Sequence, residues 1–478
     1  MATKIEQFKA YLKTLELGLS DLLLAIAFIF SVPFFAFAWK FMVTPNPADV
    51  FFKIWMMILC FSIAAISYIG YFILEAKKGN LKNNAFLWIF LFLTILGLVA
   101  VLVQPTTVTN VIECKHVNSH STDIFPGVQV GDMVAVSYTI SPSHRLFFAF
   151  ATLLIHSIYF VLLTLLPKRM KDFNFFIFSG ICVFAFVLVI TGYSYIAEAH
   201  KYPVIFNDLI TGNFNAISDD GVISLLTHRV PYGVCLFLGF LYAFLLHALT
   251  KKWYWFIPAA YCYINMFFTW TKTALALGAL FIAVYVVLML IKTFKDHKKR
   301  NTIISIVLGS IVGVAALAAL ISVITQGKFL PIVYKVFDSM LNKRTITSRT
   351  YIWGNINTLL SNGWWLIGRG FGTYNSMLFP MNILNGDVVC PSHSTYYAVL
   401  GQGGIFTLIG FLGSIVYFGY VFVKSLKRCD KVMTIIMALP VFIFILYTFT
   451  EGINYLLVFF MFPLYLYYSL NTRDSVKA

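Results

Sequence analysis

The reading of this chain turns on SRTYIWGNINTLLSNGWWLIGRGFGTYNS, residues 348–376, and HSTYYAVLGQGGIFTLIG, residues 393–410. Strongly apolar runs lie on either side. The stretch holds Arg349, Trp353 four residues later, Gly368, Gly370 and Gly372 at alternate positions, and His393 directly before the next apolar run. Nowhere else does the chain set so many polar and special-geometry residues beside a segment of membrane length.

Working outward, composition explains those runs. Of 478 residues, 60% are hydrophobic and 11% charged, too apolar for a soluble surface. Runs of about 20 apolar residues recur, each able to cross about 30 Å of hydrocarbon. Lipid leaves no backbone group unpaired, and the runs lack the alternation of barrel strands, so they are predicted to be helices. The expected fold is an all-α polytopic membrane protein. Spans are predicted near 20–39, 50–74, 85–103, 146–166, 173–195, 230–250, 253–270, 273–293, 302–324, 396–423, 432–449 and 452–470, about twelve in a single transmembrane domain over 1–470. The first run has no small-residue cleavage site after it and is read as retained.

Charge supports this alternation. The net charge of +16 sits largely in short loops: Lys77 and Lys78, Lys168 and Arg169, Lys251 and Lys252, Lys298 and Lys299, Lys427 and Arg428. Basic short loops stay in the cytoplasm. Both termini are then expected there. The positive charge is read as topological, with no nucleic acid partner.

Three segments fall on the opposite, outer face: 104–145, 196–229 and 325–395. In the first, GVQVGDMVAVSYTI at 127–140 alternates about Gly131 and Asp132 and predicts a β-hairpin. In the third, Tyr351, Trp353, Ile356 and Leu360 suit a short helix lying on the membrane surface. No C-x-x-C occurs among the seven cysteines. Cys114 and Cys390 fall in two outer loops, and their pairing stays open. No metal site is read from His116, His120 and Asp123, and Asp219–Asp220 is read as a loop turn.

The outer stretch reads as chemistry as follows. The Arg349 guanidinium presents a planar fork suited to phosphate oxygens. Arg369, inside the glycine-rich turn, also suits an anion, although the GK[ST] of a phosphate loop is missing. His393 could accept a proton from an attacking hydroxyl. Lys272 stands between threonines at the outer link of two spans. Each also has a plain alternative: a headgroup contact, a tight turn, a helix-start hydrogen bond, a snorkelling lysine.

Together these residues resemble the O-antigen ligase and polysaccharide polymerase family of bacterial membrane glycosyltransferases. The resemblance rests on T-x-T-K-T at Thr269 to Thr273, on S-R-x-x-x-W with W-x-L-I-G-x-G-F-G at Ser348 to Gly372, and on H-S-x-Y-Y with later glycines at His393 to Gly404. It covers about 230–420 and departs from the family's pattern at Lys272, usually arginine, at Ser394, usually asparagine, and at Gln402, near which the family has an acidic residue. It implies a glycosyltransferase class C bundle with a large outer loop. The implied donor is an oligosaccharide on undecaprenyl diphosphate, and the acceptor a glycan or lipid-glycan. No cofactor or metal is implied. Arg349, Lys272 and Arg369 would hold the diphosphate and His393 would act as base. His228, Arg229, Trp353, Tyr396 and Gln402 are candidate acceptor or supporting contacts. A flippase and a chain-length regulator are the implied partners, beside the lipid bilayer. The favoured activity is repeat-unit polymerisation with inversion. The alternatives are a ligase onto lipid A core, protein or another envelope acceptor, and, in another class, a transporter or flippase.

Overall fold

A computed structural model describes residues 18–27, 29–30, 47–79, 81, 85–117, 119–160, 173–211, 213, 221–224, 229–294, 345–370, 372–384 and 393–450. In chain order these form α1 (Pro47–Lys77), α2 (Ala85–Leu102), β1 (Thr107–Glu113), α3 (Ser119–Ile124), β2 (Met133–Thr139), α4 (Pro142–Phe160), α5 (Phe173–Ala197) and α6 (Lys201–Thr211). They continue with α7 (Arg229–Thr250), a 3-10 turn at Trp253–Trp255, α8 (Phe256–Thr269), α9 (Lys272–Phe294), α10 (Thr345–Leu359), α11 (Thr373–Ile383), α12 (Thr395–Leu426) and α13 (Lys431–Thr450).

The protein is mostly helical. Among the described residues, five helices are long and apolar enough to cross a membrane: Ile58–Lys77, Tyr232–Thr250, Lys272–Lys292, Thr395–Leu426 and Lys431–Phe449. Val183–Ala197 and Lys201–Leu209 make a sixth if their 95° bend belongs to one span. With 14 residues, α8 rises only about 21 Å, short of about 30 Å of hydrocarbon. The expected spans 302–324 and 452–470, and residues 31–46, lie outside the described residues. So do Cys390, His228 and Asp219–Asp220.

The chain divides into two compact units. Unit 1 comprises Met1–Ser179, Arg344–Val423 and Phe444–Asn471; unit 2 comprises Gly180–Lys343, Lys424–Ile443 and Thr472–Ala478.

In unit 1, β1 and β2 pair antiparallel from Thr107 opposite Thr139 to Glu113 opposite Met133. Alternation turns Val108, Ile112 and Val136 inward, while Thr109 and Ser137 exchange a 2.8 Å hydroxyl hydrogen bond on the exposed face. A hairpin was expected about Gly131 and Asp132, but those residues are not its tip. β2 pairs with TVTNVIE, which alternates equally well, and α3 lies between the strands. Gly131, at φ +97°, donates its N–H to the Cys114 carbonyl at 2.8 Å, and the Cys114 N–H returns a bond to Asp132. Cys114 is a buried free thiol.

The inner face of this hairpin shares a core with α10 and α11. Val108, Ile112 and Val136 meet Ile352, Ile356, Leu359, Met377 and Met381. The stripe on α10 is therefore 352, 356, 359 and 360, an i, i+4, i+7, i+8 pattern. Tyr351 stays exposed. This corrects the expectation of a helix lying apolar face down on a membrane: the hairpin and α11 cover that face. Lys115 and His116 donate backbone N–H groups to the Leu384 carbonyl at 2.8 and 3.1 Å, tying the strand end to the end of α11.

In unit 2, α7 is the central helix, with most of Tyr232–Thr250 buried. Small residues set its approach to its neighbours. A Cβ on Gly239 would stand 2.9 Å from the Cys262 sulfur, and one on Gly233 would stand 2.1 Å from the Thr271 hydroxyl. Phe240, Phe244, Phe281 and Tyr285 interlock edge to face between α7 and α9.

Candidate functional site

The site in unit 1 begins where α10 stops. Ser361, Asn362 and Gly363 end the helix, with Asn362 and Gly363 at φ +58° and +86°. The chain then runs through Trp364 and Trp365 into the glycine turn, whose Gly368, Gly370 and Gly372 all have positive φ. The glycines of this turn pack against protein backbone and side chains. The turn locks onto a break in α12, where Gly404 leaves helical geometry at φ 69°, ψ −170°.

Three backbone hydrogen bonds make the lock. Arg369 N–H donates to the Gly401 carbonyl at 2.8 Å, Gly370 N–H to Gln402 at 2.9 Å, and Ile405 N–H to Trp365 at 2.9 Å. The break in α12 frees these carbonyls and this N–H, and the turn satisfies them. Approach is so close that a Cβ on Gly404 would lie 2.2 Å from the Leu366 carbonyl oxygen. Gln402, expected as an acceptor contact, therefore contributes its backbone here. Gly370 rests on Val101 of α2 and Gly372 on Phe148 of α4.

Arg369 is turned inward and is 5% exposed. Its Nε donates to the Leu359 carbonyl at 2.7 Å, capping the end of α10. One Nη donates to Gln104 Oε1 at 3.3 Å, and the guanidinium stacks on Trp364 at 4.3 Å. Burial lowers its pKa from 12.5 to about 10, which leaves it cationic at neutral pH. Gln104 also donates to the Ala100 carbonyl, and Arg145 donates to the carbonyls of Leu102 and Gln104 at 2.6 and 2.8 Å. Arg369, expected on a diphosphate, thus braces the turn against the end of α2. Arg369→Lys keeps the charge but loses the fork and the stack. It is expected to cost about 1–3 kcal/mol, read as a lower thermal midpoint.

Arg349 and Trp353 lie one helical turn apart on α10. Arg349 is half-buried. Trp353 stacks on Tyr397 with ring centroids 4.9 Å apart and planes 7° apart. Tyr397 lies in the first turn of α12, four residues after His393. His393 sits at φ +46°, a left-handed position that histidine enters more readily than branched residues. The Ser394 carbonyl accepts the Ala398 N–H and opens the helix. The stack joins the helix of Arg349 to the start of the helix that His393 precedes. Tyr396 faces elsewhere: it stacks on Phe449 at 4.3 Å and contacts Phe411 and Thr448.

Unit 2 holds Lys272 and Arg229. α8 ends at Thr269, Trp270 turns left-handed at φ 48°, ψ 39°, and α9 starts at Lys272. The Thr269 and Thr271 hydroxyls bond each other at 2.7 Å. Lys272 Nζ lies 5.7 Å from the Trp270 ring centre. Thr271 packs on Gly233 of α7, one turn after Arg229, so Arg229 and Lys272 stand at the same end of unit 2. Both are at helix N-termini, where the backbone adds positive potential.

Sequence reading missed Glu198, an acid just past the end of an apolar run. Its Oε2 accepts the N–H groups of Ile223 and Ser224 at 3.2 and 2.7 Å, and Oε1 pairs with Lys201 at 2.9 Å. It also missed Gln104, Trp364 and Tyr397, whose partners are far away in the chain. No family model matches this chain, and no curated protein or solved structure matches it.

Proposed function

We propose that this protein is a membrane glycosyltransferase that transfers a glycan from undecaprenyl diphosphate to a sugar hydroxyl, polymerising repeat units at the outer face of a twelve-span bundle. The observation that carries the reading is the Trp353–Tyr397 stack. It ties the helix bearing Arg349 to the turn bearing His393, and aromatic faces suit sugar rings. Among the described residues the Arg349 guanidinium takes no hydrogen bond or ion pair, in contrast to the committed Arg369.

In this reading His393 takes the proton of the acceptor hydroxyl as its oxygen attacks the anomeric carbon. The bond from that carbon to the phosphate oxygen breaks, and its electron pair leaves with the lipid diphosphate. Arg349 offsets the departing charge. Fixed cations near low-dielectric lipid do this better than water. One base and in-line displacement give inversion.

The test is purified protein in detergent with a lipid-linked oligosaccharide donor. Glycan product of inverted configuration, formed equally with EDTA present, is expected. Retained configuration, or no product, would sink the reading. Product without a sealed membrane would exclude transport as the whole function. Arg349→Lys is expected to weaken donor affinity by about tenfold, because a point charge replaces a bidentate fork. Unchanged affinity would make Arg349 a headgroup contact only. Deleting the gene separates polymerase from ligase: loss of long chains with single units still displayed means the former, and loss of surface display with lipid-linked chains retained means the latter.

A further inference from the structure

We infer that the end of unit 2 where α7 and α9 finish and α13 begins is a binding site for an anionic phospholipid headgroup, independent of the transfer reaction. Three turns gather there. α7 ends at Thr250, and Lys251 follows at φ 57°. The span in α9 closes on Lys292, and Lys251 lies within Coulombic reach of it. Lys292 Nζ stands 4.0 Å from a carboxylate oxygen of Asp430, in the turn before α13. The His247–Tyr285 hydrogen bond, at 2.7 Å, holds α7 to α9 one turn deeper.

The charge at this end is unbalanced. Lys251, Lys252, Lys427, Arg428 and Lys431 are exposed, and Lys292 is half-buried. Among the described residues of unit 2 the acids are Glu198, Asp208 and Asp430. Glu198 and Asp208 belong to the α5–α6 bend. Asp430 is committed locally: its carboxylate accepts the Val432 N–H at 3.1 Å and caps α13. Among the described residues one capping carboxylate faces six cations, so an anion from outside the chain would relieve repulsion.

A second feature says which anion. The Thr250 hydroxyl accepts the Lys252 N–H at 3.3 Å and the Trp255 indole N–H at 3.0 Å. This turns Trp255 inward against Phe184 and leaves its neighbours outside. Trp253 is 71% exposed and Tyr254 47%. Tryptophan and tyrosine beside lysine, at the level where apolar helices end, mark the membrane–water boundary. A soluble anion would not need exposed indole and phenol next to the cations. A phospholipid does: the rings lie among its acyl and glycerol groups while the lysines hold its phosphate.

The experiment uses the full chain in detergent and measures the thermal midpoint with phosphatidylglycerol, with phosphatidylcholine, and with inorganic phosphate at matched ionic strength. Phosphatidylglycerol is expected to raise the midpoint above phosphatidylcholine, and inorganic phosphate is not. The double variant Lys251→Gln/Lys292→Gln should keep its midpoint in phosphatidylcholine and bind phosphatidylglycerol about thirtyfold more weakly, at about 1 kcal/mol per lysine. Trp253→Ala should weaken it in the same direction. Equal stabilisation by inorganic phosphate would overturn the lipid assignment. So would an undiminished phosphatidylglycerol shift in the double variant, the result expected if the patch serves an acidic protein instead.

Discussion

Gly368→Ala is expected to unfold or severely loosen unit 1. At φ +74°, alanine pays about 1–2 kcal/mol for its left-handed backbone. Its Cβ would then stand 2.6 Å from the Gln402 carbonyl carbon and oxygen and from the Gly404 nitrogen. All are backbone atoms, so no side chain can swing aside. The turn would have to lift off α12, breaking the bonds from Arg369 to Gly401 and from Gly370 to Gln402. Each buried group left without a partner costs about 1–3 kcal/mol. The sum is a large part of the roughly 5–15 kcal/mol that holds a typical domain. Gly354→Ala on α10 is the control. A Cβ there meets nothing within 4 Å, so up to about 1 kcal/mol of stabilisation is expected from helix propensity. Thermal midpoints of the two variants decide the matter. An unchanged midpoint for Gly368→Ala would mean that the clasp does not hold the unit together.

His393→Asn should lower turnover by about 10²–10⁴-fold, the usual contribution of a positioned base, while the midpoint stays near that of the unaltered protein. The choice of asparagine follows from the backbone. His393 sits at φ +46°, and asparagine tolerates that region well. Alanine would add strain just before α12 and mix a folding defect with a chemical one. Turnover within a few-fold of normal would remove the base assignment. A parallel loss of turnover and midpoint would make His393 a helix-start residue.

The glycine turn shows how far residue types alone carry. Alternate glycines at 368, 370 and 372 pointed to positive φ and close approach, and all three have it. What they approach is backbone and packed side chains. Nothing near them in sequence says so, because Gly401, Gln402, Val101 and Phe148 come from three other helices. The same distance hid the role of Arg369, whose capping and stacking partners are Leu359, Gln104 and Trp364. Arg349 and Trp353 were legible as a pair one turn apart, but the Trp353–Tyr397 stack was not.

Helices at most of the apolar runs could be read from residue order, since their hydrogen bonds close within four residues and lipid forbids leaving them open. The alternating strand at 133–139 was equally plain for the same local reason. Its partner, the core shared by hairpin, α10 and α11, and the inward turn of Arg369 all needed the folded chain. Those outcomes depend on which distant surfaces meet, and several segments of this sequence offer an equally suitable face.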